Sequence, residues 1–454
     1  MEQLPPEVVV HILSFLPAGD KHSVRCCCRA LQLLADHPAL WRGAAVFLTD
    51  LRRYTYGFWD TLSRRRITRV VVRHLRRKEW RRLITFLPAL TAIVFVDGGR
   101  LYREKYLVNL SRFTELTHLG VRNATWEERM LSWSLADQLR ERLTHLSVCN
   151  VRLPWPVELV SAASRLTNLR SLMFHQHAEG LGGSTIRPVP CSAFHTLLQK
   201  LTRLQHLSWG MKGEPPEPLE EDYFSPPHPE HAGQEEGDEW HYGGPALTSL
   251  ELVDYPEAIL PESALENLSS LRSLTVRYKS IHQGLECRLK HWLSPLTQLQ
   301  DLTIAGGHAI SNYACSIPPT VTRLTLRLSL TLKDMEIIAP RVPSLTYLDI
   351  EQNRSSGSLC RRIPALFPHL RTLRIRFLRR EPEKDLLNLQ RLRHLERLDL
   401  LVDRWCLNGK PWPTPFVQAL ADQLQELTQH RLKVCTQRPP RNVLRDCDCV
   451  YGDF

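Results

Sequence analysis

Leu268-Ser269-Ser270-Leu271-Arg272-Ser273-Leu274-Thr275-Val276 is the stretch from which the architecture is read. Its first apolar steps, Leu268 to Leu271 to Leu274, are of three, the spacing of a turn or a helix end. Its last, Leu274 to Val276, is of two, the alternation of a strand. The same switch of period stands in Leu166, Leu169, Leu172 and Phe174, in Leu296, Leu299, Leu302 and Ile304, and in Phe367, Leu370, Leu373 and Ile375. Unrelated amphipathic helices would not repeat a change of period in phase. Outward from this stretch, the shorter form apolar-x-x-apolar-x-apolar recurs thirteen times, starting at Ile67, Leu90, Leu116, Leu143, Leu169, Leu204, Leu247, Leu271, Leu299, Val321, Leu345, Leu370 and Leu395. Successive spacings are 23, 26, 27, 26, 35, 43, 24, 28, 22, 24, 25 and 25 residues, so only two depart from a period near 25. A coil of that length holds one short strand and one return segment and buries its leucines only against the next coil. The thirteen copies therefore predict a solenoid.

This frame resembles leucine-rich repeats. The resemblance implies an α/β fold, a leucine-rich-repeat solenoid or horseshoe, here over residues 46–435. The family places Asn or Cys late in the motif and only Asn353 stands there, so irregular coils are expected. Alternation along each strand predicts that residues between and beside the buried leucines line the concave face. In the early coils these are Arg69, Val71, Arg73, His118, Arg122, His145, His175 and His206. In the late coils they are Asp301, Arg323, Arg327, Tyr347, Asp349, Glu351, Arg374, Arg376, Arg397 and Asp399. This mixed, polar surface suits a protein partner better than a lipid, and Arg323, Arg327, Tyr347, Arg374, Arg376 and Arg397 are its candidate binding residues.

Residues 1–45 do not carry the repeat. Leu4-Pro5-Pro6-Glu7 places prolines at a helix start, where a missing amide hydrogen costs little. Val8, Ile12 and Leu16 follow at steps of four, with Val9 and Leu13 widening the stripe. Pro17 to Asp20 ends this helix, and a second helical stretch is expected through Val24, Cys27, Leu31 and Leu34. A segment this small does not readily bury so much apolar surface alone.

In order and separation, Leu4-Pro5-Pro6-Glu7-Val8, Ile12 to Pro17, Asp20, Cys27-Cys28-Arg29 and Pro38-Ala39-Leu40-Trp41 resemble the F-box. Lys21 and His22 stand where that family usually has leucines, and Leu31 where tryptophan is common. The resemblance implies a small all-α F-box in which Leu4, Pro5, Val8, Ile12, Leu13 and Leu16 meet a Skp-family adaptor, and through it cullin and RING subunits. It also implies that the chain is the substrate-recognition subunit of an SCF-type ubiquitin ligase, itself non-catalytic, with the repeats holding a protein substrate. The alternative is a repeat scaffold without a ligase, binding a protein or nucleic acid, with residues 1–45 capping the solenoid.

Charge is segregated along the chain, whose net charge is +11. Residues 213–244, within the long 43-residue spacing, hold ten acidic residues, no Lys or Arg, six prolines and five glycines, the composition of a disordered loop. Residues 50–82 hold twelve Lys and Arg against three Asp and Glu, with Tyr54, Tyr56, Phe58, Trp59 and Trp80 among them. Three readings of that basic stretch stand open: a solvated face, a site for an acidic protein or the acidic loop, and nucleic acid or nuclear import. No recognised nucleic-acid module accompanies it, and the aromatics are expected in the core.

No catalytic constellation is present. Gly180-Leu181-Gly182-Gly183 lacks the helix pattern of a dinucleotide loop. Cys447 and Cys449 lack companion ligands, and His118, His145 and His206 share a register without carboxylate support. Neither a cofactor nor a metal is expected. No apolar run approaches the roughly 18 residues of a membrane span. The twelve cysteines include the run Cys26-Cys27-Cys28 and no Cys-x-x-Cys, which suits reduced thiols in the cytoplasm or nucleus. Residues 436–454 are expected to form a loosely ordered tail.

Overall fold

Each of the thirteen sequence repeats becomes a strand beginning two residues after its first apolar position. The computed structural model describes residues 4–50, 53–73, 77–96, 108–125, 133–153, 156–176, 189–211, 246–254, 257, 260–278, 286–352, 358–377, 383–402 and 412–436. The acidic insertion at 213–244, Gly180 to Gly183, Asn353, and all of the 436–454 tail except Thr436 lie outside the described residues. The chain divides into two compact units, one running to residue 189 and the other from residue 190.

The first unit contains β1 (Ala45–Leu48), β2 (Arg69–Arg73), β3 (Ala92–Val96), β4 (His118–Thr125), β5 (His145–Arg152) and β6 (Ser171–Gln176), paired in parallel in chain order. Ile93, Leu119, Leu146 and Leu172 stand in register on successive strands and are all buried. A threonine ladder precedes the strands: the Thr91, Thr117 and Thr144 hydroxyls donate to the carbonyls of Thr68, Thr91 and Thr117 at 3.1–3.2 Å. Each thus satisfies a carbonyl of the preceding coil, where the ladder begins.

The second unit contains β7 (His206–Gly210), β8 (Ser249–Asp254), β9 (Ser273–Tyr278), β10 (Asp301–Ala305), β11 (Arg323–Leu330), β12 (Tyr347–Gln352), β13 (Thr372–Phe377), β14 (Arg397–Val402) and β15 (Lys433–Cys435). All pair in parallel. Leu250, Leu274, Leu302, Leu324, Leu348, Leu373 and Leu398 form one buried row across the strands. Return segments follow the spacing. The 22 residues from Leu299 to Val321 leave room for two 3-10 turns, Ile310–Asn312 and Ala314–Ser316, whereas longer coils of the first unit return through helices such as Pro156–Ala163.

Two strands, β1 and β15, fall outside the sequence pattern. Gly43 and Arg431 occupy the place where the other coils put their first apolar residue, so the motif is broken although the backbone still pairs. A late-position asparagine pair also escaped the pattern. Asn123 and Asn150, both at positive φ, are joined Nδ2 to Oδ1 at 2.7 Å one position earlier than Asn353 stands in its coil.

Before β1 come α1 (Pro6–Ser14), α2 (Ala18–Arg25), α3 (Arg29–Ala35) and a 3-10 turn, Pro38–Trp41. Pro6 begins α1, Glu7 lies in its positive first turn, and Pro17 follows its end. The single second helix expected from the sequence is instead two. Cys28 takes extended backbone (φ −158°, ψ 167°), and its sulfur accepts the Leu31 amide at 3.5 Å, so the cysteine run breaks one helix and caps the next. Val9, Leu13, Ala35 and Leu40 form the core of this small unit, with Val10, Leu16, Val24, Leu31, Leu34 and Trp41 packed around it. Among the described residues no helix is long and apolar enough to cross a membrane.

Candidate functional site

The apolar stripe of α1 divides into two rows. Val9 and Leu13 point inward, Leu13 being 4% exposed, while Leu4, Val8 and Ile12 are 41–47% exposed and Pro5 is exposed. Leu13 is therefore a core residue: its side chain is committed to the cluster with Val9, Ala35 and Leu40. Leu16 is partly buried against the same cluster and lies at the edge of the outward row. Two further apolar side chains of this small unit are exposed. Phe15 is 75% exposed, with its ring edge against His11 at 5.0 Å, and Leu33 of α3 is 66% exposed. The signal for Phe15 was its position three residues after Ile12 on the row started by Val8. Burial of several such side chains beside one another is the usual use of an apolar patch.

Lys21, in place of an expected leucine, donates to the Leu40 carbonyl at 3.4 Å and lies over the Trp41 ring, 5.8 Å from its centroid. Trp41 in turn donates to the Ala35 carbonyl at 2.7 Å. The aliphatic stem of lysine thus supplies part of the packing while its ammonium meets a backbone acceptor.

This helical unit is clamped to the first coil through Asp36, whose side chain is 4% exposed. The Arg25 Nε donates to its two oxygens at 3.0 and 3.2 Å, and Arg65 approaches through Nη2 and Nε at 2.7 and 2.8 Å. Arg64 stands 3.8 Å away. Arg65 also stacks on Trp41, 3.9 Å from the ring centroid. Arg64 belongs to α4 (Tyr56–Arg64) and Arg65 caps it, so three cations from two segments share one buried carboxylate. The basic stretch is accordingly not a free cationic surface at these positions. Of its aromatics only the tryptophans fill core as expected: Trp59 and Trp80 are buried, with Trp59 stacked on Phe86 at 5.8 Å and Trp80 against Phe95 at 5.7 Å, whereas Tyr54 and Phe58 are half-buried and Tyr56 is 75% exposed.

The late coils form a second charged assembly. Register places Asp349, Arg374 and Asp399 side by side on β12, β13 and β14. Arg327 donates to Asp349 Oδ2 at 2.5 Å, and Arg374 Nη1 lies 3.3 Å from the same oxygen. Arg376 donates to Glu351 at 2.8 Å and Arg397 to Asp399 at 2.8 Å. Arg323 pairs with Asp301 at 3.1 Å and covers the Tyr347 ring at 4.0 Å. Of the six predicted binding residues, Arg323 and Arg397 are exposed, whereas Arg327, Tyr347, Arg374 and Arg376 are partly buried. Val71, Arg122, His175, Asp349 and Asp399, expected to line the surface, are buried. For the two aspartates the physical reason is that arginines of the same and neighbouring strands pair with them and cover them, Arg327 and Arg374 at Asp349 and Arg374 and Arg397 at Asp399.

Burial dominates the electrostatics of this layer. It pushes the Asp349 carboxyl up and the Arg327 guanidinium down, against their mutual attraction. Burial also opposes the charge of Arg374, but Asp349, Tyr347 and Asp399 outweigh it and hold that guanidinium up. One oxygen of Asp349, Oδ1, is buried without a hydrogen-bond partner among the described residues. In the early coils His118 and His145 stack at 3.8 Å, each Nδ1 held by the preceding threonine hydroxyl at 2.8 Å. That arrangement orients the two rings.

The F-box-like family model matches residues 1–44, and the N-terminal unit is F-box-like. A search of curated proteins finds no match. Among solved structures, the chain is similar to the complex of Rad7 and Elc1 in yeast, with 12% identity and a TM-score of 0.38 over 96% of this chain and 90% of that one. It is also similar to the Toll–Spatzle complex of Drosophila, with 17% identity and a TM-score of 0.35 over 87% of this chain and 54% of that one.

Proposed function

We propose that the chain is the substrate-recognition subunit of an SCF-type ubiquitin ligase, its F-box-like unit docking on a Skp-family adaptor and its repeats holding a protein substrate. The carrying observation is the row Leu4, Val8, Ile12 and Phe15, 41–75% exposed along α1 and its two ends, while the neighbouring row of Val9 and Leu13 is packed in the core. A helix that already owns a core has no internal use for a second apolar row, and burial against a partner removes that row from water. Pro5 and Leu16 border it.

The mechanism is positioning. A receptor that holds substrate and adaptor on one scaffold raises the effective concentration of a substrate lysine near a conjugating enzyme carried elsewhere in the assembly. The Asp36 clamp serves this role by joining the docking helices to the first coil through buried charge rather than a loose linker. On the repeats, Arg323, Tyr347 and Arg397 offer the substrate contacts, while Arg327, Arg374 and Arg376 form the paired layer that holds them in place.

The test is co-purification of the Skp-family adaptor with wild type and with Leu4→Ala/Ile12→Ala. Both side chains are exposed, so folding by circular dichroism is expected to be unchanged. Loss of two docking side chains is worth about 3 kcal/mol, on the order of a 100-fold loss of affinity. Unchanged recovery would refute the docking row and favour residues 1–45 as a cap on the repeats.

A further inference from the structure

The coils of β8, β9 and β10 bring together a buried glutamate, a cysteine and a histidine that neither the docking face nor the charged layer uses. Glu257 lies three residues past β8, Cys287 precedes the helix Leu289–Leu293, and His308 lies three residues past β10. One donor atom from each, a carboxylate oxygen, a sulfur and a ring nitrogen, all lie within 4.8 Å of one another. The Glu257 side chain is 2% exposed, and its Oε2 meets His308 Nε2 at 2.6 Å. Its Oε1 accepts the Tyr278 hydroxyl at 2.9 Å and the Arg288 amide at 3.2 Å. Among the described residues no lysine or arginine side chain pairs with this carboxylate.

Two independent features indicate that the cluster is built to hold something. The hydroxyl of Tyr313 is buried with no hydrogen-bond partner among the described residues, and burial, followed by Cys287, Asp334 and Glu257, holds it in its neutral form. An orphaned buried hydroxyl is costly unless a further group completes it. The turn carrying His308 is also specialised. Gly306 and Gly307 have φ of +71° and +84°, and a β-carbon on Gly307 would strike the Tyr278 ring. Only glycines let the chain turn closely enough over Tyr278 to bring His308 onto Glu257.

We infer that Glu257, Cys287 and His308 form a binding site for a divalent transition-metal ion of the zinc class, which ties three successive coils together. The donor set argues for that class. Magnesium and calcium take oxygen-only shells, whereas sulfur, imidazole and carboxylate together suit zinc. Zinc bonds of about 2.0–2.3 Å put tetrahedral ligands about 3.3–3.8 Å apart. The described atoms reach that geometry when the Glu257–His308 contact opens slightly and the sulfur closes in. On binding, the Cys287 sulfur exchanges its proton for the metal and the proton leaves to solvent, so thiolate and carboxylate together balance the cation. Water fills the fourth position. Burial, followed by Glu257, holds the Cys287 thiol up at about 11, so without a cation the group is a protonated thiol and not a reactive nucleophile. The site is structural: it performs no chemistry and goes beyond the receptor role, on which it does not depend.

The experiment uses the full chain, stripped with chelator and reloaded with cobalt(II) as a spectroscopic probe and with zinc. Wild type is expected to retain one equivalent more metal than Cys287→Ser by mass spectrometry, and to show a thiolate-to-cobalt absorption that this variant lacks. His308→Gln is expected to weaken cobalt binding at least tenfold. Equal metal content and identical cobalt spectra in wild type and Cys287→Ser would overturn the site, leaving only adventitious binding at other thiols. If the serine variant fails to fold, amide exchange of wild type decides: zinc is expected to slow exchange across 273–278 and 301–310, and unchanged exchange there overturns the proposal.

Discussion

Asp36→Asn is expected to loosen the F-box-like unit from the first coil while leaving the later coils intact. The wild-type carboxylate is 4% exposed and meets Arg25 and Arg65 through contacts of 2.7–3.2 Å, with Arg64 at 3.8 Å. Asparagine keeps the shape but removes the charge and turns an amide donor toward guanidinium donors. Breaking a buried ion pair costs about 3–5 kcal/mol because the remaining charges lose their counterion. Arg25 and Arg65 retain 21% and 13% exposure and can partly rehydrate, so the lower end applies, about 3 kcal/mol. At about 1.4 kcal/mol per factor of ten, that is on the order of a 100-fold rise in local opening. A global melting point is the wrong probe, since in a repeat array each coil answers mainly to its neighbours. Hydrogen exchange resolved to segments is the right one. Amides of α3 and α4 are expected to lose about two orders of magnitude of protection, and those of β10 to β13 to change little. Exchange in α3 and α4 within about threefold of wild type would refute the clamp.

Two further outcomes follow from the second unit. Asp349→Ala leaves Arg327 and Arg374 facing each other without their shared carboxylate and is expected to cost about 3 kcal/mol by local exchange of β11 to β13. Arg323→Ala, on an exposed pair, is expected to cost under about 1 kcal/mol, and equal costs would show that the layer is not buried charge. In chelator, Cys287 has a folded-state value of about 11 against an ordinary 9.0, so the unfolded chain loses its proton first as pH rises. Its contribution is therefore neutral below about pH 9 and becomes destabilising from there to about pH 11. Cys287→Ser is expected to flatten that fall, and parallel pH profiles of the two proteins would refute it.

The repeat frame was legible because burial in a stacked coil demands an apolar residue at fixed steps. All thirteen first positions, from Ile67 to Leu395, are buried. β1 and β15 were illegible because Gly43 and Arg431 interrupt the pattern where backbone pairing alone continues. In the N-terminal unit, steps of four disclosed an apolar face on α1 but not which half of it was already used. Val8 and Val9 are equally apolar in sequence, yet one is exposed and the other is core. The arginines of the late coils were placed correctly on their strands, but their pairing with Asp349, Glu351 and Asp399 depends on which side chains adjacent coils set opposite one another.

Local order in the chain thus determined periodicity, element type and the approximate edges of each coil, because steps of two and three along a backbone are local geometry. Folding alone decided which apolar row remains in water, that Asp36 gathers three arginines, and that Glu257, Cys287 and His308 meet. Those residues are separated by 30 and 21 positions in sequence, and only the stacking of one coil on the next converts such separations into contact.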